Sequence, residues 1–293
     1  MPRRINRAIE LLEADQAIYY DGPHTGHVLT YEQGRKDAKT WADYINVGME
    51  HGAFDMTALA DYMHGLVDGG PTNSGHRTPT VIVEAPVNGI DGPSVAYNAW
   101  QFRQILGRGV HGILLCQAET ADAVAEFVRA CRFPHHKGGV DKIGIGSRGR
   151  GSEPTAAPVW GIDPLEYFEC CEPWPLSPKG ELLLGVKIES PPGVARCEEI
   201  LSVPGLGFAE LGPGDLGLAL GYTSPQRRPY PPEMEAARAR VFAACRKNKL
   251  AFLEGATPDG IAASLDEGVR VISGHSPEVA KIGRGHQKRT MPV

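Results

Sequence analysis

Short apolar runs alternate with amphipathic stretches along almost the whole chain. Ile5, Ala8, Ile9 and Leu12 recur at helical spacing, which predicts an amphipathic helix at the start. Eight later runs have the length and composition of strands: 17–20, 44–49, 80–85, 112–116, 182–189, 207–211, 251–253 and 269–273. Helical periodicity fills the stretches 55–67, 94–106, 120–131, 192–201, 233–247 and 257–267. Several of these open on a capping residue, as Asp55 and Thr120 do.

This alternation predicts a (β/α)₈ TIM barrel that occupies residues 1–293 as a single domain. An open, doubly wound sheet is the alternative, because periodicity alone does not separate the two. Residues 133–180 depart from the pattern, since they are rich in Gly and Pro and form a long loop after the fourth helix. Loops of this length inside a compact domain are usually functional or disordered.

Composition and charge narrow the class of protein. The net charge of −5 offers no basic surface to nucleic acid, and we expect no polyanionic partner. No stretch approaches the roughly 20 apolar residues of a membrane span, and residues 1–16 lack the apolar core of a signal peptide. The six cysteines contain no C-x-x-C pair, so we expect free thiols, no structural zinc and a cytoplasmic location.

Two carboxylates follow successive predicted strands. Glu189 ends the fifth predicted strand, and Asp215 lies in the turn after the sixth. Because the carboxyl ends of parallel strands meet at one face of a barrel, both side chains should point into the same mouth. Paired oxygen ligands of this kind suit Mg²⁺ or Mn²⁺. The sequence therefore predicts a divalent-metal site at this mouth.

Further polar residues stand at the ends of other predicted strands. Lys187 and Glu189 are two positions apart and should face the same side of their strand. Glu84 ends another odd-numbered strand and could come near Lys187, since alternate strands share interior layers. His51 is a candidate general base because its ordinary pKa lies close to neutrality. The alternatives are salt bridges for the acids and a structural hydrogen bond for His51. Glu50, after the second strand, and Gln117, after the fourth, also stand at this end of the barrel.

Two glycine-containing segments are candidates for anion binding. The turn Gly212-Pro213-Gly214-Asp215 would let backbone amides approach an anionic substrate group beside the metal. Residues 144–149 fit G-x-G-x-x-G, but no helical pattern follows, so a dinucleotide site is not indicated. Arg148 in that segment could bind a carboxylate in forked geometry, with a solvated loop as the alternative.

Several motifs resemble the HpcH/HpaI aldolase family of metal-dependent class II pyruvate aldolases. KIES at 187–190 followed by VPGLGFAELGPGDLGLALGY at 203–222 is similar to the metal-binding signature of that family. MEHGAFD at 49–55 resembles its histidine motif, and ETA at 119–121 with CRFP at 131–134 also fits. The resemblance covers roughly residues 40–275. It implies a TIM barrel that forms a homo-oligomer, usually a hexamer built from dimers that exchange a C-terminal helix.

The resemblance also implies a chemistry. Glu189 and Asp215 would bind Mg²⁺, Mn²⁺ or a similar divalent ion such as Co²⁺ or Zn²⁺. The backbone at Gly214 and Asp215 would hold the carboxylate of a small oxo-acid substrate, and His51 would act as a base or activate water. The metal would polarise a 2-oxo group while an aldol carbon–carbon bond breaks or forms.

Departures from the family pattern concern the substrate half of the site. Glu84 stands where the family usually has a strand-three arginine that contacts the pyruvate oxygen, and Lys187 stands where it often has glutamine. Gly48 replaces an aspartate of the histidine motif, and the segment after Arg148 lacks the usual aromatic residue. We therefore hypothesise that Lys187 supplies the displaced positive charge, either to Glu84 or to the substrate.

Other functions stay open at this stage. A decarboxylase or a hydratase-type lyase could use the same scaffold, and Lys187 could act as a Schiff-base nucleophile. A catalytically silent paralogue that binds a small acid is the alternative from outside the enzymes.

Overall fold

The computed structural model describes residues 2–273 and 276–293 and shows a closed barrel of parallel strands. The strands are β1 (Ile18–Asp21), β2 (Tyr44–Gly48), β3 (Thr80–Asn88), β4 (Gly112–Cys116), β5 (Pro173–Trp174), β6 (Leu182–Ile188), β7 (Phe208–Leu211), β8 (Ala251–Gly255) and β9 (Val271–Ser273). Every ladder is parallel: β1 pairs with β2 and β9, and β4 pairs with β6 to close the ring. The two-residue β5 adds to the side of β6. The predicted (β/α)₈ barrel is confirmed, and the open sheet is wrong.

Helices connect the strands around the outside of the barrel. They are α1 (Arg7–Glu13), α2 (Tyr31–Asp37), α3 (Met56–Gly69), α4 (Gly92–Leu106), α5 (Ala121–Cys131), α6 (Val140–Ile143), α7 (Glu153–Trp160), α8 (Pro164–Cys170), α9 (Pro191–Ala195), α10 (Cys197–Ile200), α11 (Pro213–Ala219), α12 (Pro232–Asn248), α13 (Ile261–Glu267) and α14 (Pro277–His286). Among the described residues, no helix combines the length and the apolarity needed to cross a bilayer.

The long connection 133–180 is where the sequence-based prediction was wrong. The structure places α6, α7, α8 and β5 there in place of a plain loop. Proline and glycine in this stretch mark helix ends: Pro164 opens α8 behind the N-cap Asp163, and Gly161 ends α7 with a positive φ of 74°. The predicted helix 192–201 is also divided, into α9 and α10 at Arg196.

The core has two apolar layers that follow from strand alternation. Side chains from alternate strand positions, such as Ile82, Leu183 and Phe208, fill the barrel interior, and α1 closes its base. The opposite faces of the same strands pack against the surrounding helices. Gly185 makes room for the Phe208 ring, since a Cβ there would lie 2.4 Å from a ring carbon. With the base filled, the carboxyl ends of the strands are left for chemistry.

A buried carboxylate joins the C-terminal segment to the barrel of its own chain. Asp43, just before β2, accepts hydrogen bonds from the Tyr19 backbone N–H at 3.0 Å and from Arg289 Nη1 at 2.7 Å. The guanidinium groups of Arg284 and Arg7 lie 3.2 and 3.6 Å from it. Burial alone would raise the pKa of Asp43, but the three arginines hold it below its usual value. Exchange of the C-terminal helix between subunits stays a prediction.

Replacing Asp43 by Asn should therefore destabilise the fold strongly. D43N leaves three guanidinium groups without their shared anion, and we expect a loss of about 3–5 kcal/mol in the free energy of unfolding at pH 7, measured in urea. Because the folded pKa of Asp43 is depressed, its contribution is present above the unfolded pKa and is lost as the pH falls through the folded value. D43N should therefore show a weaker loss of stability on acidification than the wild type.

The control is Asp15, whose side chain is 81% exposed and pairs with Arg270. D15N should lower stability by about 1 kcal/mol or less. Equal effects of the two substitutions would contradict the role given to Asp43.

Candidate metal and substrate site

The carboxyl ends of the strands enclose a cavity of about 1010 Å³ with an acidic wall. Such a volume is at the upper end of small-molecule sites and is much larger than a three-carbon acid requires. Its wall includes six ionisable residues that could bind a metal ion or transfer a proton: Glu50, His51, Lys187, Glu189, Glu210 and Asp215.

Two overlapping groups of side chains, which share Glu50, could hold a metal ion. Ligand atoms of Glu50, His51 and Asp215 lie within 4.8 Å of one another, and so do those of Glu50, Cys116 and Glu189. Gln117 connects the two predicted metal ligands: its backbone N–H donates to Glu189 Oε1 at 2.7 Å, and its side-chain amide reaches Asp215 Oδ2 at 3.5 Å. The left-handed backbone of Gln117, with φ 48°, follows directly on β4.

The environment of Glu189 favours a divalent cation. A Cβ at Gly212 would lie 2.3 Å from Glu189 Oε2, so glycine at that position leaves the space that the carboxylate occupies. Burial raises the pKa of Glu189 to about 8, and the charge of Glu50 adds to this, whereas Lys187 opposes it. A dication would compensate these crowded carboxylates, and oxygen donors are the ligands that Mg²⁺ and Mn²⁺ prefer. The residues present therefore fit such a metal.

Lys187 is held between two carboxylates. Its Nζ lies 2.8 Å from Glu50 Oε2 and 3.4 Å from Glu84 Oε2. The predicted proximity of Glu84 and Lys187 is thereby confirmed. Burial alone would lower the pKa of Lys187, but the surrounding negative groups, among them Glu210 and Glu84, raise it above its ordinary value. Lys187 is therefore an ammonium ion at neutral pH.

Glu84 lies behind the cavity wall, in spite of its prediction as a catalytic residue. It is buried on β3, where His24 Nδ1 lies 2.6 Å and Asn46 Nδ2 lies 2.9 Å from its Oε1. Burial would raise the pKa of Glu84, but the hydrogen bond from His24 and the charge of Lys187 hold it below its usual value. The same hydrogen bond raises the pKa of His24. Glu84 therefore contacts Lys187 from behind the cavity wall and, among the described residues, is not one of those that line the cavity.

Four of the remaining predicted site residues line the cavity. His51 lines the cavity with its side chain 55% exposed and its Nε2 3.8 Å from Glu50 Oε2. The predicted substrate-binding residues Gly212, Pro213 and Gly214 also line it, and a Cβ at Gly214 would meet no described atom within 4 Å. The mouth therefore brings together the predicted metal ligands, the candidate base and the glycine turn.

Arg148 is the predicted substrate-binding residue that the structure does not bring to the mouth. Its guanidinium is buried in the connection after α5, where it donates to Tyr167 Oη at 2.8 Å and to Cys171 Sγ at 2.9 Å. It also stacks over the Phe133 ring at 4.6 Å. These contacts hold α8 to the preceding segment. The structure therefore gives Arg148 a structural role in place of the predicted substrate binding.

Sequence reasoning placed Glu50 at the catalytic face without giving it a role, and it missed His24, Glu210 and the pair of Arg228 and Glu254. Arg228 Nη1 donates to Glu254 Oε2 at 3.0 Å, and both residues line the cavity. Strand alternation was a usable signal for Glu210, which lies two positions after the inward-facing Phe208. His24 lies in an irregular loop that gives no such signal.

Comparisons with known proteins point to one family. Residues 87–270, more than half of the chain, match the model of the HpcH/HpaI aldolase/citrate lyase family. The chain is 29% identical over 228 residues to a hydroxypyruvate/pyruvate aldolase of Delftia acidovorans, covering 74% of this chain and 72% of the relative.

Two solved structures share the fold. An HpcH/HpaI aldolase/citrate lyase family protein from Burkholderia cenocepacia superposes with a TM-score of 0.69 at 22% identity, covering 96% of each chain. A citrate lyase beta subunit from M. tuberculosis, complexed with oxaloacetate and magnesium, gives a TM-score of 0.53 at 14% identity, covering 92% of this chain and 96% of that one. By its barrel, its strand-end motifs and its match over residues 87–270, the chain belongs to the HpcH/HpaI aldolase/citrate lyase family.

Proposed function

We propose that the chain is a divalent-metal-dependent carbon–carbon lyase that cleaves or forms an aldol bond in a 2-oxo acid. The observation that carries this proposal is the pair of overlapping ligand groups at one end of the barrel, in which Glu50 lies beside Glu189 in one group and beside His51 and Asp215 in the other. Names of relatives support it: a similar protein is a hydroxypyruvate/pyruvate aldolase, and a structural neighbour is complexed with oxaloacetate and magnesium.

Glu189 and Asp215, with Glu50 beside them, would hold the metal. When bound there, Mg²⁺ or Mn²⁺ supplies a Lewis acid that polarises the 2-oxo group and stabilises the negative charge that develops on its oxygen. Backbone amides of Gly214 and Asp215 orient the substrate carboxylate, since the first amides of a helix have no partner within it. Glu84 and Glu50 fix Lys187 as a permanent cation in the cavity wall.

His51 is placed to handle the proton of the aldol step. In the cleavage direction, a base removes the proton of the 4-hydroxyl group, the C3–C4 bond breaks to release an aldehyde, and C3 takes up a proton. The exposed ring of His51, next to Glu50, can accept a proton at one stage and return it at the other. The same residues would also serve a decarboxylase or a hydratase-type lyase, which differ in the bond that breaks.

The Schiff-base alternative is disfavoured by the surroundings of Lys187. An amine must be unprotonated to attack a carbonyl carbon, and buried lysine nucleophiles have a lowered pKa. The carboxylates around Lys187 have the opposite effect and raise its pKa. Borohydride in the presence of pyruvate should therefore leave Lys187 unmodified, whereas trapped pyruvate on this residue would overturn the metal mechanism.

Glu189 gives the most direct test of the metal site. E189Q removes one anionic ligand, and we expect Mn²⁺ affinity, measured by calorimetry, to fall by about 100-fold or more, because even outer-shell changes cost about 10–100-fold. Aldol cleavage of 4-hydroxy-2-oxo acids should fall with it, and EDTA should abolish the wild-type activity.

E169Q is the matched control, since Glu169 is an exposed glutamate on α8. It should keep both metal binding and activity. Wild-type turnover that survives complete removal of divalent ions would refute the metal dependence. Metal and ligand binding without turnover on a panel of oxo acids would instead favour a catalytically silent paralogue.

Lys187 gives a second test, aimed at the substituted half of the site. K187A should abolish turnover, whereas Mn²⁺ binding should survive because removing a cation leaves the carboxylate cluster more negative. The double variant K187M/E84Q removes both charges of the pair together, so it distinguishes an ammonium that compensates Glu84 from one that acts on the substrate. Recovery of activity in the double variant would mean that Lys187 only compensates Glu84, and no recovery would mean that it acts on the substrate. Full activity of K187A would contradict either role.

A further inference from the structure

Glu210 is a buried carboxylate of the cavity wall for which the mechanism gives no task. It points from β7 into the cavity and is only 6% exposed. Its Oε2 has no hydrogen-bond partner among the described residues. A buried carboxylate without a partner is costly, so its presence calls for a ligand group that satisfies it.

Cations near Glu210 are already committed to other carboxylates. The Lys187 Nζ lies 2.8 Å from Glu50 and 3.4 Å from Glu84. Arg228 and Arg238 both bind Glu254, at 3.0 and 2.9 Å. The charges of Lys187 and His24 act on Glu210, but among the described residues no cation forms an ion pair with it.

The place of Glu210 in β7 and the size of the cavity would both allow contact with a bound substrate. It precedes the substrate-binding turn that starts at Gly212 by two residues, and it lies beside Lys187 in the register of β6 and β7. The cavity volume of about 1010 Å³ leaves room for a substrate much longer than pyruvate. A substrate held by its oxo-acid end at the metal centre can therefore extend a side chain along the wall that carries Glu210.

We propose that Glu210 binds a protonated amine of the substrate, so that the aldol handled by this enzyme is an amino-substituted hydroxy-oxo acid. This inference rests on the proposed aldolase function and names its substrate class: an oxo acid joined to an amino aldehyde. A carboxylate that is buried with an ammonium ion forms a charge-assisted hydrogen bond, which is stronger than the bond to a neutral hydroxyl group. The ammonium group takes no part in bond making, which joins C3 of the oxo acid to the aldehyde carbon.

A panel of acceptors that differ at one group tests this directly. With pyruvate and Mn²⁺, kcat/KM is measured for 3-aminopropanal, 3-hydroxypropanal and butanal, which have the same chain length. We expect the wild type to prefer the amino aldehyde over the other two by about 10-fold or more, because a charge-assisted hydrogen bond is stronger than a neutral one. A preference for the hydroxyl or methyl compound would overturn the inference without the need for any variant.

Substitution of Glu210 links the preference to this residue. E210Q should reduce the amino-to-hydroxyl ratio of kcat/KM to near one, whereas E210D, which retains the carboxylate, should keep the amino compound preferred. D259N is the control for long-range charge, because Asp259 is exposed and lies outside the cavity wall. Its ratio should equal that of the wild type, and an unchanged ratio in E210Q would overturn the inference.

A separate readout distinguishes failure of this inference from failure of the proposed function. Exchange of the pyruvate methyl protons in D₂O, followed by NMR, reports the metal-assisted step without any aldehyde. Exchange together with a preference for neutral aldehydes would overturn the role of Glu210 and leave the aldolase function standing. Absence of both exchange and turnover would overturn the proposed function, and the inference with it.

Discussion

One buried ammonium group organises the mouth of this barrel. Lys187 contacts Glu50 on one side and Glu84 on the other, and it neighbours Glu210 across the β6–β7 ladder. Without this cation, the carboxylates that converge on the interior would repel one another in a low-dielectric environment. Each would then tend to take up a proton unless a bound dication replaced the missing positive charge.

The proposed metal-binding half and substrate-binding half of the site differ in how closely their residues match the family pattern. In the metal half, Glu189 and Asp215 share the support of Gln117, and Gly212 leaves space for the Glu189 carboxylate. In the substrate half, Glu84 has taken a strand-three position where the related family usually has arginine, and the positive charge stands on Lys187. The cation thus lies on a different wall of the cavity. Relative to an arginine and a glutamine, these two positions lose one unit of positive charge, and the cation lies on β6 in place of β3.

Much of the fold could be predicted from the sequence, because each strand is a short apolar run bounded by turn residues. Glu189 and Asp215 could be proposed as metal ligands because parallel strands place their carboxyl ends together. Contacts across the closed barrel could not be derived from local pattern: Lys187 and Glu50 are 137 positions apart and meet only when the ring closes. Arg148 was misassigned for a related reason. Its Gly- and Pro-rich surroundings were interpreted as a loop, although the same residues end helices that bury its guanidinium.

A structure of the protein soaked with Mn²⁺ and oxalate, a stable mimic of the reacting oxo acid, would show whether the carboxylates of this mouth bind a metal. We expect anomalous density for one Mn²⁺ between Glu189 and Asp215, oxalate on the same ion near Gly214, and Lys187 still bound to Glu50 and Glu84. Absence of Mn²⁺ from these carboxylates at saturating concentration, with oxalate bound elsewhere in the cavity, would contradict this expectation.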